Sequence, residues 1–128
     1  MFGRFGIAAL FVAAMAAPAL ADSCSDPIPP AVSVDGRTAT VQQMNDAIKD
    51  FKAFQAASDD YQACLLADLK QQEQTAAKAK DPKPLDPSIT AGVNAKIAAN
   101  QTEKQKVGEE LNAQIIAYKT AHPSKPKS

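Results

Sequence analysis

The chain has 128 residues, with 14 Lys and Arg against 14 Asp and Glu, so its formal net charge at pH 7 is zero. This balance argues against a nucleic-acid-binding protein, which usually carries a strong basic excess. The length allows at most one small domain, and two cysteines with a single histidine leave no ordinary ligand set for a transition metal.

The first 21 residues have the organisation of a secretory signal peptide. Arg4 supplies a positive charge, residues 5–17 form an apolar run, and Ala19-Leu20-Ala21 is an Ala-x-Ala cleavage site. We therefore expect a mature chain that begins at Asp22 and is periplasmic or secreted. Two alternatives are an uncleaved membrane anchor, which the short apolar run disfavours, and a lipoprotein acylated on Cys24, which the charge of Asp22 disfavours.

Residues 22–39 are predicted to form an extended, proline-rich arm. The three prolines within residues 27–30 lack backbone donors and hold their predecessors in extended conformations, which excludes a helix. The pair Asp35-Gly36 predicts a turn. The apolar side chains of the arm that we expect to pack along the first helix are Ile28, Val32 and Val34.

A long helix is predicted from about residue 40 to residue 80. Thr40 and Gln43 fit a capping box, and residues 41–80 contain neither Gly nor Pro. At about 40 residues the helix would be roughly 60 Å long. Its main apolar stripe consists of Met44, Ile48, Phe51, Leu65 and Leu69, with Ser58 in the gap.

A second helix is predicted from about residue 87 to residue 121. The proline-rich segment 81–87 stops the first helix, and Asp86 followed by Pro87 is a typical helix start. Pro123 ends the second helix, and residues 122–128 are predicted to be a disordered tail. The apolar stripe of this helix is Ile89, Val93, Ile97, Val107, Leu111, Ile115 and Tyr118.

Two long helices joined by a short, stiff loop predict an all-α fold, an antiparallel two-helix hairpin of coiled-coil type. If the loop is symmetric, the numbers of facing residues add up to about 167. This alignment places Ile97 near Leu69 and Leu111 near residues 54–57.

The two cysteines are expected to form a disulfide between the arm and the first helix. An exported protein with two cysteines normally pairs them. Cys64 lies about 36 Å along the helix from Thr40, and an arm of about 16 residues reaches up to about 50 Å. The arm would then cover a second stripe on the first helix that contains Phe54 and Tyr61. A redox role for Cys24 and Cys64 is disfavoured because a Cys-x-x-Cys motif is absent.

The sequence predicts no catalytic, cofactor-binding or metal-binding residue, and we do not expect an enzyme. His122 stands at a helix end, where a cation suits the helix dipole. The acidic pairs Asp59-Asp60 and Glu109-Glu110 leave a weak calcium site as a minor alternative to solvated surface charge. The candidate interface residues for a partner are Phe54, Tyr61, Leu66 and Ile116.

Four features together resemble a group of small, uncharacterised exported helical-hairpin proteins of Gram-negative bacteria. They are the signal peptide, the spacing Cys24-x-x-Pro27-x-x-Pro30, YQACL at residues 61–65 and LNAQIIAYK at residues 111–119. The resemblance covers most of the mature chain. It implies a periplasmic location and the same helix–break–helix plan, and it supplies no catalytic residue and no ligand.

These features favour a non-catalytic periplasmic protein that docks on an envelope protein or on a second copy of itself. A holdase-like periplasmic chaperone is one alternative. An inhibitor of a cell-wall hydrolase, which would present the loop 81–87 to a cleft, is another. We expect neither nucleic-acid binding nor stable membrane insertion after signal cleavage.

Overall fold

The computed structural model describes residues 23–126, and two long helices account for most of this part. Helix α1 spans Val41–Lys78 and helix α2 spans Pro87–Ala121. They pack against each other as an antiparallel hairpin, which confirms the predicted fold class. The predicted signal peptide, residues 1–21, lies outside the described residues.

Local side chains set the limits of α1. The Gln43 N–H donates to the Thr40 hydroxyl at 3.2 Å and the Thr40 N–H donates to the Gln43 side chain at 2.9 Å, so the predicted capping box is present. The helix ends at Lys78, two residues before the predicted end. Ala79 has left the helical conformation, with φ −63° and ψ 155°.

Helix α2 begins with the predicted cap. The Ser88 N–H donates to the Asp86 carboxylate at 2.9 Å, and Pro87 occupies the first helical position. This hydrogen bond holds the pKa of Asp86 below its ordinary value. The cap therefore stabilises the folded protein fully at pH values above the ordinary pKa of an aspartate. This stabilisation is lost as the pH falls through the lowered pKa of Asp86.

The core of the hairpin consists of two apolar regions on either side of a polar layer. One region lies towards the loop, where Leu65 and Leu69 of α1 pack with Val93 of α2. The other lies towards the free ends, where Met44, Phe54, Val107 and Leu111 are buried. Few large side chains fill either region, so the hairpin has a thin core for its length.

The polar layer is a hydrogen-bonded network between the two helices. Ser58 and Asn100 are fully buried, and the Asn100 amide donates to the Ser58 hydroxyl at 3.2 Å. The Gln62 amide donates to the Asn100 side-chain oxygen at 2.7 Å and accepts a bond from Gln101 at 3.2 Å. Because buried amides need partners, this network favours one alignment of the helices over its neighbours.

The observed alignment differs from the predicted one by about one to two helical turns. Gly108 packs against Phe51, and Lys104 pairs with Asp59 at 2.6 Å, so the numbers of facing residues add up to 159 and 163 and not to 167. The loop causes the shift. Its residue Leu85 packs on the core cluster that includes Leu65, Leu69 and Val93, so the loop lies against the hairpin before α2 starts.

We expect Asn100→Ala to lower the free energy of unfolding by about 2 kcal/mol, because it leaves a cavity and removes the buried partner of Ser58 and Gln62. Asn94→Ala, on an exposed position of the same helix, is the matched control and should change it by less than about 0.5 kcal/mol. Urea unfolding monitored by circular dichroism measures both. Equal stability of the two variants would show that the network adds nothing.

Candidate functional site

The arm is fastened to α1 by a disulfide. Cys24 and Cys64 are bonded with their Cα atoms 5.7 Å apart, which confirms the predicted pairing. Cys24 is buried and belongs to the same cluster as Tyr61 and Leu65. The bond therefore fixes the start of the arm on the middle of the longer helix.

The burial pattern of the arm follows the period of its backbone. Cys24 is buried and Pro27 and Pro30 are half-buried, whereas the residues between them are exposed. A polyproline II chain has three residues per turn, so the Cys-x-x-Pro-x-x-Pro spacing turns these three residues towards the hairpin. Beyond Pro30 the period is two, as in an extended strand, with Val32 and Val34 half-buried.

A compact turn ends the arm. The backbone N–H groups of Thr38 and Ala39 donate to the Asp35 carbonyl at 3.1 and 2.8 Å, and the Arg37 N–H donates to the Asp35 carboxylate at 3.0 Å. Arg37 also bonds the same carboxylate through its guanidinium at 2.9 Å. These hydrogen bonds lower the pKa of Asp35 and raise the pKa of Arg37.

This turn docks on α2, a contact that the sequence analysis did not predict. The Gly36 N–H donates to the Gln114 side-chain oxygen at 2.9 Å. A Cβ on Gly36 would overlap the backbone carbonyl oxygen of Gln114 and lie 2.8 Å from the Tyr118 nitrogen. Since the φ of Gly36 is not positive, the close approach to α2, and not the turn conformation, requires glycine here.

Two of the four predicted interface residues are not at the surface. Phe54 and Tyr61 are only 4% and 6% exposed, so in this structure they belong to the core under the arm. Leu66 and Ile116 are exposed, at 52% and 57%. The alignment of the helices places them about 30 Å apart along the hairpin, too far to form one compact patch.

The expected packing of Ile28 on α1 is wrong. Ile28 is 89% exposed, more than any other large apolar side chain of residues 23–126. The threefold period of the arm explains its position, because Pro27 and Pro30 occupy the inward face and leave Ile28 on the outer one. The arm therefore holds an apolar side chain out into solvent.

A groove runs between the arm and α1 beside Ile28, and we refer to it as the arm groove. It consists of two adjoining cavities of about 470 and 500 Å³, which share Pro30 and Asp50 as lining residues. Val34, Phe51 and Val107 supply apolar walls in the first cavity. Residues that line the second include Ile28, Phe54, Ala53 and Ala57.

The side chains that line the arm groove carry negative charge only. Asp46 and Asp50 lie one helical turn apart on α1 and are both exposed, and no Lys or Arg of residues 23–126 lines either cavity. Asp46 accepts a hydrogen bond from Gln42 at 2.9 Å. The third lining carboxylate, Asp35, is already paired with Arg37.

Comparisons with protein-family models, with curated proteins and with solved structures found no match for this chain. The resemblance to exported hairpin proteins therefore stays a prediction.

Residues 23–126 contain no group of three or more His, Cys, Asp or Glu side chains that could hold a metal ion. At the predicted calcium alternative, Asp59 bonds to Lys104 instead. Neither α1 nor α2 has a stretch of the length and apolarity needed to cross a bilayer.

Proposed function

We propose that this chain is a non-catalytic, exported interaction protein whose arm docks on an envelope partner. The exposure of Ile28 carries this proposal. Burial of such a side chain in a partner contributes about 1.5–3 kcal/mol, whereas in the free protein it is left in water. Single exposed apolar residues are common on protein surfaces. Ile28 differs from the others in lying on an extended segment that is fastened at both ends.

The attachment of the arm favours binding. The disulfide at Cys24 fixes one end to α1, and the contact of Gly36 with Gln114 fixes the other end to α2. A segment that is already ordered loses little conformational entropy when a partner covers it. The hairpin is then the scaffold that holds the arm. The disulfide supports the exported location, because disulfides form in oxidising compartments such as the periplasm.

The test is capture from envelope extract of the native host with the oxidised mature chain, followed by reconstitution with the purified partner. We expect one stoichiometric partner, or a second copy of the chain, and we expect Ile28→Asp to abolish the complex. Val41→Asp is the matched control, because Val41 is a second exposed β-branched residue, at 61%, and the substitution adds the same charge. This control should leave binding unchanged.

The outcomes separate the alternatives. Many captured proteins, with equal losses for Ile28→Asp and Val41→Asp, would favour the holdase and contradict the proposal. A complex that depends on residues 81–87 and tolerates Ile28→Asp would favour the inhibitor of a cell-wall hydrolase. A chain that stays monomeric and captures no stoichiometric partner would also contradict the proposal.

A further inference from the structure

We propose that the arm groove is the recognition site for a basic segment of the partner polypeptide, one that places a Lys or Arg side chain against Asp46 and Asp50 with an apolar residue next to it. This inference rests on the proposed function and adds the chemistry of the partner. Three properties of the groove lead to it: its size, its charge and its continuity with Ile28.

The size of the arm groove suits a few residues of extended chain. The two parts of the groove, at about 470 and 500 Å³, are both open to solvent, so a segment can lie along them from outside. Val34 and Phe51 give the first cavity apolar walls, and the exposed alanines Ala53 and Ala57 in the second leave room above α1. A segment with short apolar side chains therefore fits along it.

The charge of the arm groove determines which segment binds best. Asp46 and Asp50 are exposed, and no Lys or Arg of the described part is among the lining residues. The exposed Lys49 and Lys52 of the same helical turns lie outside the lining. Arg37, the nearest cation in sequence to the lining turn residues, is held by Asp35 at 2.9 Å. A cationic side chain in the groove meets complementary charge, whereas a carboxylate would be repelled.

Ile28 and Asp50 line the same cavity. A partner that buries Ile28 therefore comes close to Asp50, and a cation at that place on the partner would meet a complementary charge. This is why the partner segment has to combine an apolar surface for Ile28 with a positive charge beside it. A second copy of the chain would have to bring one of its own lysines to this position.

The experiment is an NMR titration of the isotope-labelled, oxidised mature chain with two blocked heptapeptides. The probe has the sequence Ala-Leu-Lys-Ala-Leu-Lys-Ala, and its control has glutamine in place of both lysines. We expect the lysine peptide to shift the amide signals of residues 31–34 and 46–51, and to bind about tenfold more tightly than the control peptide. Added salt should weaken the lysine peptide alone.

Two double variants locate the charge effect. Asp46→Asn with Asp50→Asn should weaken binding of the lysine peptide about tenfold and leave the glutamine peptide unchanged. Glu73→Gln with Asp81→Asn removes the same charge from exposed positions at the loop end of the hairpin and should have no effect. The inference would be overturned if both double variants lost the same affinity for the lysine peptide, or if the two peptides bound equally tightly. Signal shifts outside the arm groove would also overturn it.

This result is distinguishable from failure of the proposed function. If a partner binds through Ile28 but the lysine peptide does not enter the groove, the inference is wrong and the proposed function stands. If the peptide binds the groove but no partner depends on Ile28, the groove recognises basic segments and the docking role of the arm is wrong.

Discussion

Replacing both cysteines, Cys24→Ala with Cys64→Ala, should lower the free energy of unfolding by about 4 kcal/mol. The disulfide joins residues 40 positions apart, and constraint of a loop of this length in the unfolded chain contributes about 4 kcal/mol in the chain-entropy model. Small domains have total stabilities of only about 5–15 kcal/mol, so the thin hairpin would lose a large share. Urea unfolding monitored by far-UV circular dichroism measures the change.

Reduction is the matched control for this prediction. Dithiothreitol should destabilise the wild-type protein by the same amount and leave the double alanine variant unchanged, because only the disulfide responds to it. A loss below about 1 kcal/mol in the double variant would mean that the arm is held without the covalent bond and that the hairpin supports itself.

Gly36→Ala should lower the free energy of unfolding by about 1–3 kcal/mol, because its Cβ would overlap the carbonyl oxygen of Gln114 and push the turn away from α2. The hydrogen bond from the Gly36 N–H to the Gln114 side chain would be lost with it. The same urea unfolding measures this change.

Gly92→Ala is the matched control, because a Cβ on Gly92 meets nothing within 4 Å and the residue lies inside α2. That substitution should raise the free energy of unfolding by about 0.5–1 kcal/mol through the higher helix propensity of alanine. Hydrogen exchange should show that Gly36→Ala speeds exchange of the Gly36 region while both helices stay protected. A Gly36→Ala variant as stable as the wild type would refute the docking of the turn on α2.

Much of the fold could be predicted from the sequence because its signals are local. The capping pair Thr40 and Gln43, Asp86 before Pro87, and Pro123 each act within a few residues, and they placed three of the four helix ends correctly; the loop prolines placed the end of α1 two residues too late. The disulfide was predictable because only one pairing exists and the arm is long enough to make it.

The features that sequence reasoning missed depend on contacts between distant segments. Asn100 occupies the vacant position between Ile97 and Val107 in the stripe of α2, yet only the alignment of the helices shows that Ser58 and Gln62 face it. The sequence predicted only a turn at Gly36. It could not show the close contact with the backbone of α2, because Gln114 and Tyr118 are far from Gly36 in the sequence.

The errors at the candidate site also came from contacts between segments that are distant in the sequence. The sequence pointed to Phe54 and Tyr61 as interface residues, because the helix stripe alone does not say how closely the arm covers them. Ile28 was expected inside, although the threefold spacing of Cys24, Pro27 and Pro30 already favoured a polyproline II chain that turns Ile28 outward. That period was the signal that could have identified it.

The central claim is that a proline-rich arm is fastened covalently along a long helix and so presents Ile28 and the arm groove in a fixed position. Mass spectrometry of the exported protein, alkylated and digested without reduction, tests it most directly. We expect one linked peptide pair that contains Cys24 and Cys64 and no alkylated cysteine. Two alkylated thiols, or a lipid on Cys24, would contradict the account.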